Sequence, residues 1–242
     1  MSYFSFYKSE NAELVYIRNT AFVFEEHTHS RNYVISKILN GTVVLHKEGY
    51  SQCLSKNGIF TICPDERHSV ASECKAEMIS LCINKDIIYN SSQNEYESFI
   101  NRIFSGFPVG MDESFKAVVL RIHSSFHGCC KDNGLFQPLR ERLDTVPERN
   151  FSIDLLAKEI FISKYYFIRS FKKAVGLTPH KYQIQNRIRK SQRLLSEGNS
   201  IAEIAYSVGF YDQSHFEKCF KRIVGITPSE YKLSLGNFLQ DK

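Results

Sequence analysis

The sequence predicts an α+β chain of two domains. The first is a small barrel or sandwich of short strands, and the second is an all-α domain holding two helix-turn-helix motifs. Three observations carry this prediction. Residues 1–83 alternate β-branched and aromatic runs with turn residues and show no helical period. From residue 152 onward one pattern occurs twice, about 48 positions apart. Charge is also unevenly divided: residues 1–130 carry 12 Lys+Arg against 14 Asp+Glu, and residues 131–242 carry 19 against 12. A basic half suits a polyanionic partner, although a basic surface alone also serves solubility.

Composition sets the outer limits. A chain of 242 residues, 43% hydrophobic and 24% charged, is large enough for two buried cores. No apolar run approaches the roughly 18 residues of a membrane span, and the N-terminus lacks a basic stretch followed by an apolar one. The seven cysteines have neither a disulfide-framework nor a CxxC spacing. These features predict a cytoplasmic protein with reduced thiols and no membrane partner.

In chain order, the runs Leu14–Ile17, Ala21–Phe24, Tyr33–Leu39, Thr42–His46, Ile59–Cys63 and Met78–Ile83 read as strands. Asn40-Gly41 reads as a hairpin turn between the third and fourth. From Glu95 the period becomes helical. Tyr96, Phe99, Ile100, Ile103 and Phe104 form one stripe; Phe115, Val118, Val119, Ile122, Phe126 and Cys129 form another, with a break at residues 106–110. Lys131–Gly134 reads as a linker.

The repeat follows. Phe161–Tyr182 (FISKYYFIRSFKKAVGLTPHKY) matches Phe210–Tyr231 (FYDQSHFEKCFKRIVGITPSEY) at a shift of 49, while Ser152–Ala157 matches Ser200–Ala205 at a shift of 48. The second copy therefore gains one residue in its turn, assigned to Gly209 by this alignment. Ser152 and Ser200 suit helix N-caps ahead of the apolar sets Ile153, Leu156, Ala157, Ile160 and Ile201, Ile204, Ala205, Val208. A second helix opens at Ser163 or Asp212 and buries Phe167 and Phe171, or Phe216 and Phe220, at i and i+4. It stops at Gly176 or Gly225, with Pro179 or Pro228 beyond. Helix, tight turn, helix is the DNA-reading motif. A hairpin that merely packs would explain the phenylalanines but not the duplicated Lys172–Lys173 and Lys221–Arg222. Between the copies runs a longer helix, with Tyr182, Ile188, Leu194 and Leu195 on one stripe and Arg187, Arg189, Lys190 and Arg193 along it.

These residues resemble the DNA-binding domain of AraC/XylS-type transcription regulators over about Leu135–Leu235, most closely in Ile201–Lys232. The resemblance implies that the joining helix holds both second helices for successive major-groove faces, roughly 34 Å apart. Base-edge contacts would then come from Tyr165, Ile168 and Arg169 in the first copy and Gln213, Ser214, Glu217 and Lys218 in the second. Arg169 has the fork for a guanine, Gln213 the amide for an adenine, and Ile168 only an apolar surface for a thymine methyl. Phosphate contacts are expected from Lys172, Lys173, Arg187, Lys221 and Arg222.

The segments His27–Gly41 and Gly58–Val70 resemble the cupin-like sensor domain found in many such regulators. This implies a cupin-like β-barrel with an effector pocket, for which His27, His29, Tyr33, His46, Phe60, Cys63 and His68 are the candidate lining. His27, His29 and His68 are similar to the three histidines of metal-binding cupins. Tyr33 stands where their carboxylate ligand would be, and Glu66 is near but off position. Three histidines can still ligate a soft divalent metal; the plainer expectation is no metal or other cofactor, with the histidines lining a pocket rim or steadying turns. Cys129–Cys130 is a vicinal pair that could sense oxidation or a soft metal; its disulfide would be strained, so packing or chance is the plainer reading.

The predicted organisation is a cupin-like effector domain over 1–90, a helical dimerisation segment over 91–130, a linker over 131–135 and the DNA-binding domain over 136–236. The resemblance implies an activator that meets double-stranded DNA and RNA polymerase, takes a small-molecule effector and forms a homodimer. A constitutive regulator whose first domain only dimerises is the alternative. An enzyme tethered to DNA is a third class, disfavoured by the missing carboxylate and the complete double motif.

Overall fold

The computed structural model describes residues 3–9, 11–106, 110–125 and 136–235. The chain divides into two compact units, one of residues 1–23 and 29–130, the other of 24–28 and 131–242. The expected linker Lys131–Gly134 and the Cys129–Cys130 pair lie outside the described residues.

Among the described residues seven strands make one sheet: β1 (Phe4–Lys8), β2 (Ala12–His27), β3 (Asn32–Asn40), β4 (Thr42–Lys47), β5 (Tyr50–Ser55), β6 (Ile59–Ile62) and β7 (His68–Asn84). The order is β1-β2-β7-β3-β6, with β4 paired to both β5 and β7. Among the described residues the pairings stay open from β1 to β6, a cupin-like sheet domain rather than a closed barrel.

The Asn40-Gly41 hairpin is not there. β3 and β4 run one after the other along the same strand, β7: Ile38 faces Met78, Asn40 faces Glu77 and Val44 faces Ala71. Gly41 is the kink between them, at φ +79°. A Cβ there would lie 2.7 Å from the Lys75 carbonyl oxygen and 2.9 Å from the Ala76 Cα, so the position needs glycine for close approach. The hairpin comes instead at Glu48-Gly49, where Lys47 faces Tyr50. β5 was not legible because only Leu54 along it is buried, leaving no apolar alternation. The two predicted runs at Leu14–Ile17 and Ala21–Phe24 fuse into β2 through Asn19, which adopts φ +41°.

Both faces of β3 are buried from Tyr33 to Ile38, as for a central strand. On one face Tyr33, Ile35, Ile79, Leu81 and Ile83 pack under α1 (Lys85–Asn90), α2 (Gln93–Gly106) and α3 (Glu113–Ser125), meeting Tyr96, Ile100, Phe115, Val119 and Ile122. The other face carries Val34, Ser36, Ile38, Phe60, Ile62 and Met78, all buried. Lys37, only 2% exposed, is neutralised by an ion pair with Asp112 at the start of α3.

The second unit consists of α4 (Gln137–Thr145), α5 (Ile153–Glu159), α6 (Lys164–Val175), α7 (Pro179–Ser196), α8 (Ile201–Ser207), α9 (Gln213–Val224) and α10 (Pro228–Ser234). The repeat is physical as well as textual. Phe171 meets Tyr182 edge-on at 5.8 Å, and Phe220 meets Tyr231 edge-on at 5.4 Å. α4 packs Leu139 and Leu143 into the first motif's core. It also ties to α7, because Asp144 accepts from the Tyr182 hydroxyl at 2.7 Å and the Asn186 amide at 2.8 Å.

Candidate nucleic-acid interface

Each second helix of a motif is fixed at both ends and along one side. The Ser163 hydroxyl accepts from the Tyr166 N–H at 3.3 Å, and the Asp212 carboxylate accepts from the His215 N–H at 2.7 Å. These caps satisfy first-turn donors and start α6 and α9 at matching places. α6 buries Phe167, Phe171 and Val175; α9 buries Phe216, Cys219, Phe220 and Val224. Gly176 and Gly225 end the two helices.

With one side sunk in the core, the other side faces outward. Tyr165, Arg169, Lys172 and Lys173 are exposed on α6, and Gln213, Ser214, Lys218, Lys221 and Arg222 on α9. Ile168 and Glu217 are half-buried, at the margin of each exposed face. Gln213 donates to Glu217 at 2.7 Å one turn along, so part of its amide is engaged within the helix. Tyr166 and His215, at matching positions, are both exposed; the His215 ring stands edge-on to Phe210 at 5.3 Å. The basic pairs Lys172–Lys173 and Lys221–Arg222 sit in the last turns, where cations also complement the helix dipole.

Two expectations are corrected. Arg187 does not present its charge outward: it is 7% exposed. Its Nε donates to the Pro147 carbonyl at 2.8 Å and its Nη1 to the Gly209 carbonyl at 2.6 Å. Its Nη2 reaches the Glu148 carbonyl at 3.3 Å and the Asn150 side-chain oxygen at 3.1 Å. Burial lowers the guanidinium's pKa, with nearby Glu148 opposing that shift. A phosphate contact is therefore out of reach for this side chain. Lys190 on the same helix pairs with Glu148 at 2.8 Å, while Arg193 is exposed.

The second correction concerns the turn. Gly209 is not the inserted residue. Ile162 donates to the Ala157 carbonyl and Phe210 to the Ala205 carbonyl, each at 3.0 Å, so these pairs are equivalent. Phe161 then matches Gly209, and both have positive φ, +56° and +89°. The additional residue is Tyr211, next to the cap Asp212. Letter matching paired Phe161 with Phe210, but the former is 96% exposed and the latter 4%.

The candidate effector lining does not converge. Tyr33 is fully buried on the helix-covered face, with its hydroxyl 2.6 Å from that of Tyr89, and Cys63 packs on that same face. Phe60 lies opposite, sharing the register of Ser36, whose hydroxyl is 2.8 Å from that of Ser80. His46 is exposed on β4 and bonds Ser51 at 2.6 Å. The period of two along a strand separates what adjacency in sequence had grouped.

Of the three histidines, His29 and His68 stack at 5.1 Å within the sheet unit. Tyr33, which stands at the expected carboxylate position, is in the core, and Glu66 is held by Lys47 at 2.8 Å and by the Cys63 N–H at 2.9 Å. Among the described residues no helix is long and apolar enough to cross a membrane.

Sequence cues also existed for features not anticipated. Thr227 and Glu230 cap α10 reciprocally, as Ser200 and Glu203 cap α8, and both carry the S/T-x-x-E pattern. Nothing in the letters marked Arg187 as buried, since a basic residue in a basic helix reads as solvated.

Comparison with known proteins agrees with this geometry. A family model described as a helix-turn-helix domain matches residues 156–234, and one described as an AraC-like ligand binding domain matches residues 11–83. An uncharacterized HTH-type transcriptional regulator of Bacillus subtilis, YbfI, is 42% identical over 65 residues, 27% of this chain and 24% of that protein. The chain thus spans about a quarter of the length of the curated relatives it matches. Among solved structures, ToxT of Vibrio cholerae O395 has a TM-score of 0.63 at 17% identity, covering 93% of this chain and 98% of that one. ToxT of strain SCE256 with an unsaturated fatty acid bound gives 0.59 at 17%, covering 95% and 98%. At that identity the likeness is one of fold.

Proposed function

We propose that this chain, which belongs to the AraC/XylS-type transcription regulators, reads a bipartite DNA site with α6 and α9 and does so under the control of a small molecule. The observation that carries this is the pair of capped amphipathic helices. Each buries its phenylalanines and turns a polar and basic face outward, and one continuous helix, α7, joins the two motifs that hold them. Arg169 is the candidate reader of guanine in the first half-element; Gln213, Ser214 and Lys218 are the exposed candidates in the second. Lys172, Lys173, Lys221 and Arg222 would set affinity through phosphate, which carries no sequence information.

The exposed residues of the two helices differ, so one chain reads two unlike half-elements and its site is not a palindrome. The effector belongs to the sheet domain, by its match to an AraC-like ligand binding domain over residues 11–83. The helices over 91–130 would pair two chains, and a homodimer would then occupy a doubled site, arranged as repeats. In the cytoplasm such a regulator acts as an activator through RNA polymerase.

Selection of genomic fragments by the purified chain tests the reading. The expected result is enrichment of a non-palindromic motif with two separate information-rich blocks. Recovery of fragments without any shared motif would leave only non-specific binding. A thermal-shift screen against metabolites separates the two modes of control, since a ligand for the folded domain raises its melting point by mass action. No stabilising compound in that screen would favour a constitutive regulator whose first domain only dimerises.

A further inference from the structure

We propose that Arg187 is a positioning residue that fixes the distance and rotation between the two recognition helices, and so the spacing of half-elements the chain accepts. This rests on the DNA-reading function above. Arg187 lies midway along α7, and its guanidinium bonds go to neither α6 nor α9. What it holds are the two segments that lead into the motifs. Pro147, Glu148 and Asn150 precede Ser152, the cap of α5; Gly209 lies in the turn between α8 and α9. One planar guanidinium therefore ties the entrance of the first motif to the turn of the second.

The surroundings are built for this clamp. A Cβ on Gly209 would fall 2.6 Å from the Glu148 carbonyl oxygen and 3.0 Å from the Arg187 Cζ, so the two backbones meet over the guanidinium only because that residue has no side chain. The Gln183 amide adds bonds to the Pro147 carbonyl at 3.0 Å and the Arg149 carbonyl at 2.5 Å. Lys190 holds the Glu148 carboxylate at 2.8 Å. Arginine stays charged when buried and offers five donors in a rigid fork, which a lysine ammonium cannot reproduce.

Along B-DNA a change of one base pair in spacing also rotates the second half-element by about a tenth of a turn. A rigid link between motifs makes that mismatch costly; a loose link tolerates it. The test uses the full chain on its selected operator, with one or two base pairs added or removed between the half-elements. Binding constants are measured for the wild type, Arg187→Lys and Asn150→Ala, with circular dichroism as a check on folding. The wild type should favour its native spacing over a one-base-pair change by at least about tenfold, on the order of one mismatched base pair. Arg187→Lys should reduce that ratio to below about threefold, and Asn150→Ala, which removes one acceptor of the fork, should fall between.

A uniform loss of affinity at every spacing would make Arg187 a stabiliser only and overturn the proposal. So would a wild type indifferent to spacing. If Arg187→Lys does not fold, Asn150→Ala decides alone, since Asn150 is exposed and its loss leaves the three carbonyl bonds in place. A wild type that selects no sequence at all would instead overturn the DNA-reading function, and this inference with it.

Discussion

At Phe161 an aromatic residue sits in the left-handed region, at φ +56°, with its ring almost wholly in solvent. Such a conformation costs a side chain other than glycine or asparagine about 1–2 kcal/mol. The equivalent Gly209 is forced by contact with Glu148; Phe161 is 96% exposed, so a side chain is accommodated there at the expense of strain. Phe161→Asn should therefore stabilise the protein by about 1 kcal/mol, read as a higher midpoint in denaturant titration. An unchanged or lower midpoint would mean that the ring contributes more than its exposure suggests. Arg169 is the residue whose replacement tests readout. Arg169→Ala should weaken binding to the selected site by about 1–3 kcal/mol while leaving random DNA nearly unaffected, in paired titrations. An equal loss on both would assign the side chain to phosphate. Residues of this kind were legible because helical period alone decides which side of α6 and α9 is sunk. Arg187 was not, because its burial depends on carbonyls brought in from 147–150 and 209.

Among the elements, the helices of the two motifs were read from signals in adjacent residues, whereas α1, α4 and α10 were not anticipated. Ser152, Ser163, Ser200 and Asp212 all serve as caps. Strands were harder. β3 and β4 carry a turn-forming dipeptide between them, yet β7 is long enough to pair with both, and the ladder overrides the local preference. The join between α3 and the sheet brings a pH dependence. The hydrogen bond from the Lys37 ammonium, helped by Ser114, holds the Asp112 carboxyl down to about 2, against an ordinary value of 3.8. A depressed folded-state value means that Asp112 stabilises the fold fully above about pH 4, and that this contribution fades as pH falls towards about 2. Asp112→Asn should accordingly be less stable than the wild type at neutral pH, with the gap closing between about pH 4 and pH 2 in acid titrations followed by circular dichroism. A gap constant across that interval would place the stabilisation elsewhere.

For the whole molecule, the charge division has a measurable consequence. If Lys172 and Lys221 each neutralise a phosphate, replacing either with alanine should lower the slope of log affinity against log salt by about one, uniformly across DNA sequences. A slope equal to that of the wild type would show the lysine serving only the end of its helix. The order of the domains, the doubled motif, the caps of the motif helices and the exposed faces of α6 and α9 are legible in the letters alone. These follow from periodicity and neighbouring residues, which are local properties of a chain. The fold in three dimensions settles that the described strands form an open sheet, that Tyr33 and Phe60 lie on opposite faces, that Tyr211 rather than Gly209 is the added residue, and that Arg187 points inward. Each of these depends on which distant backbone arrives beside a residue, and a linear pattern carries no record of that.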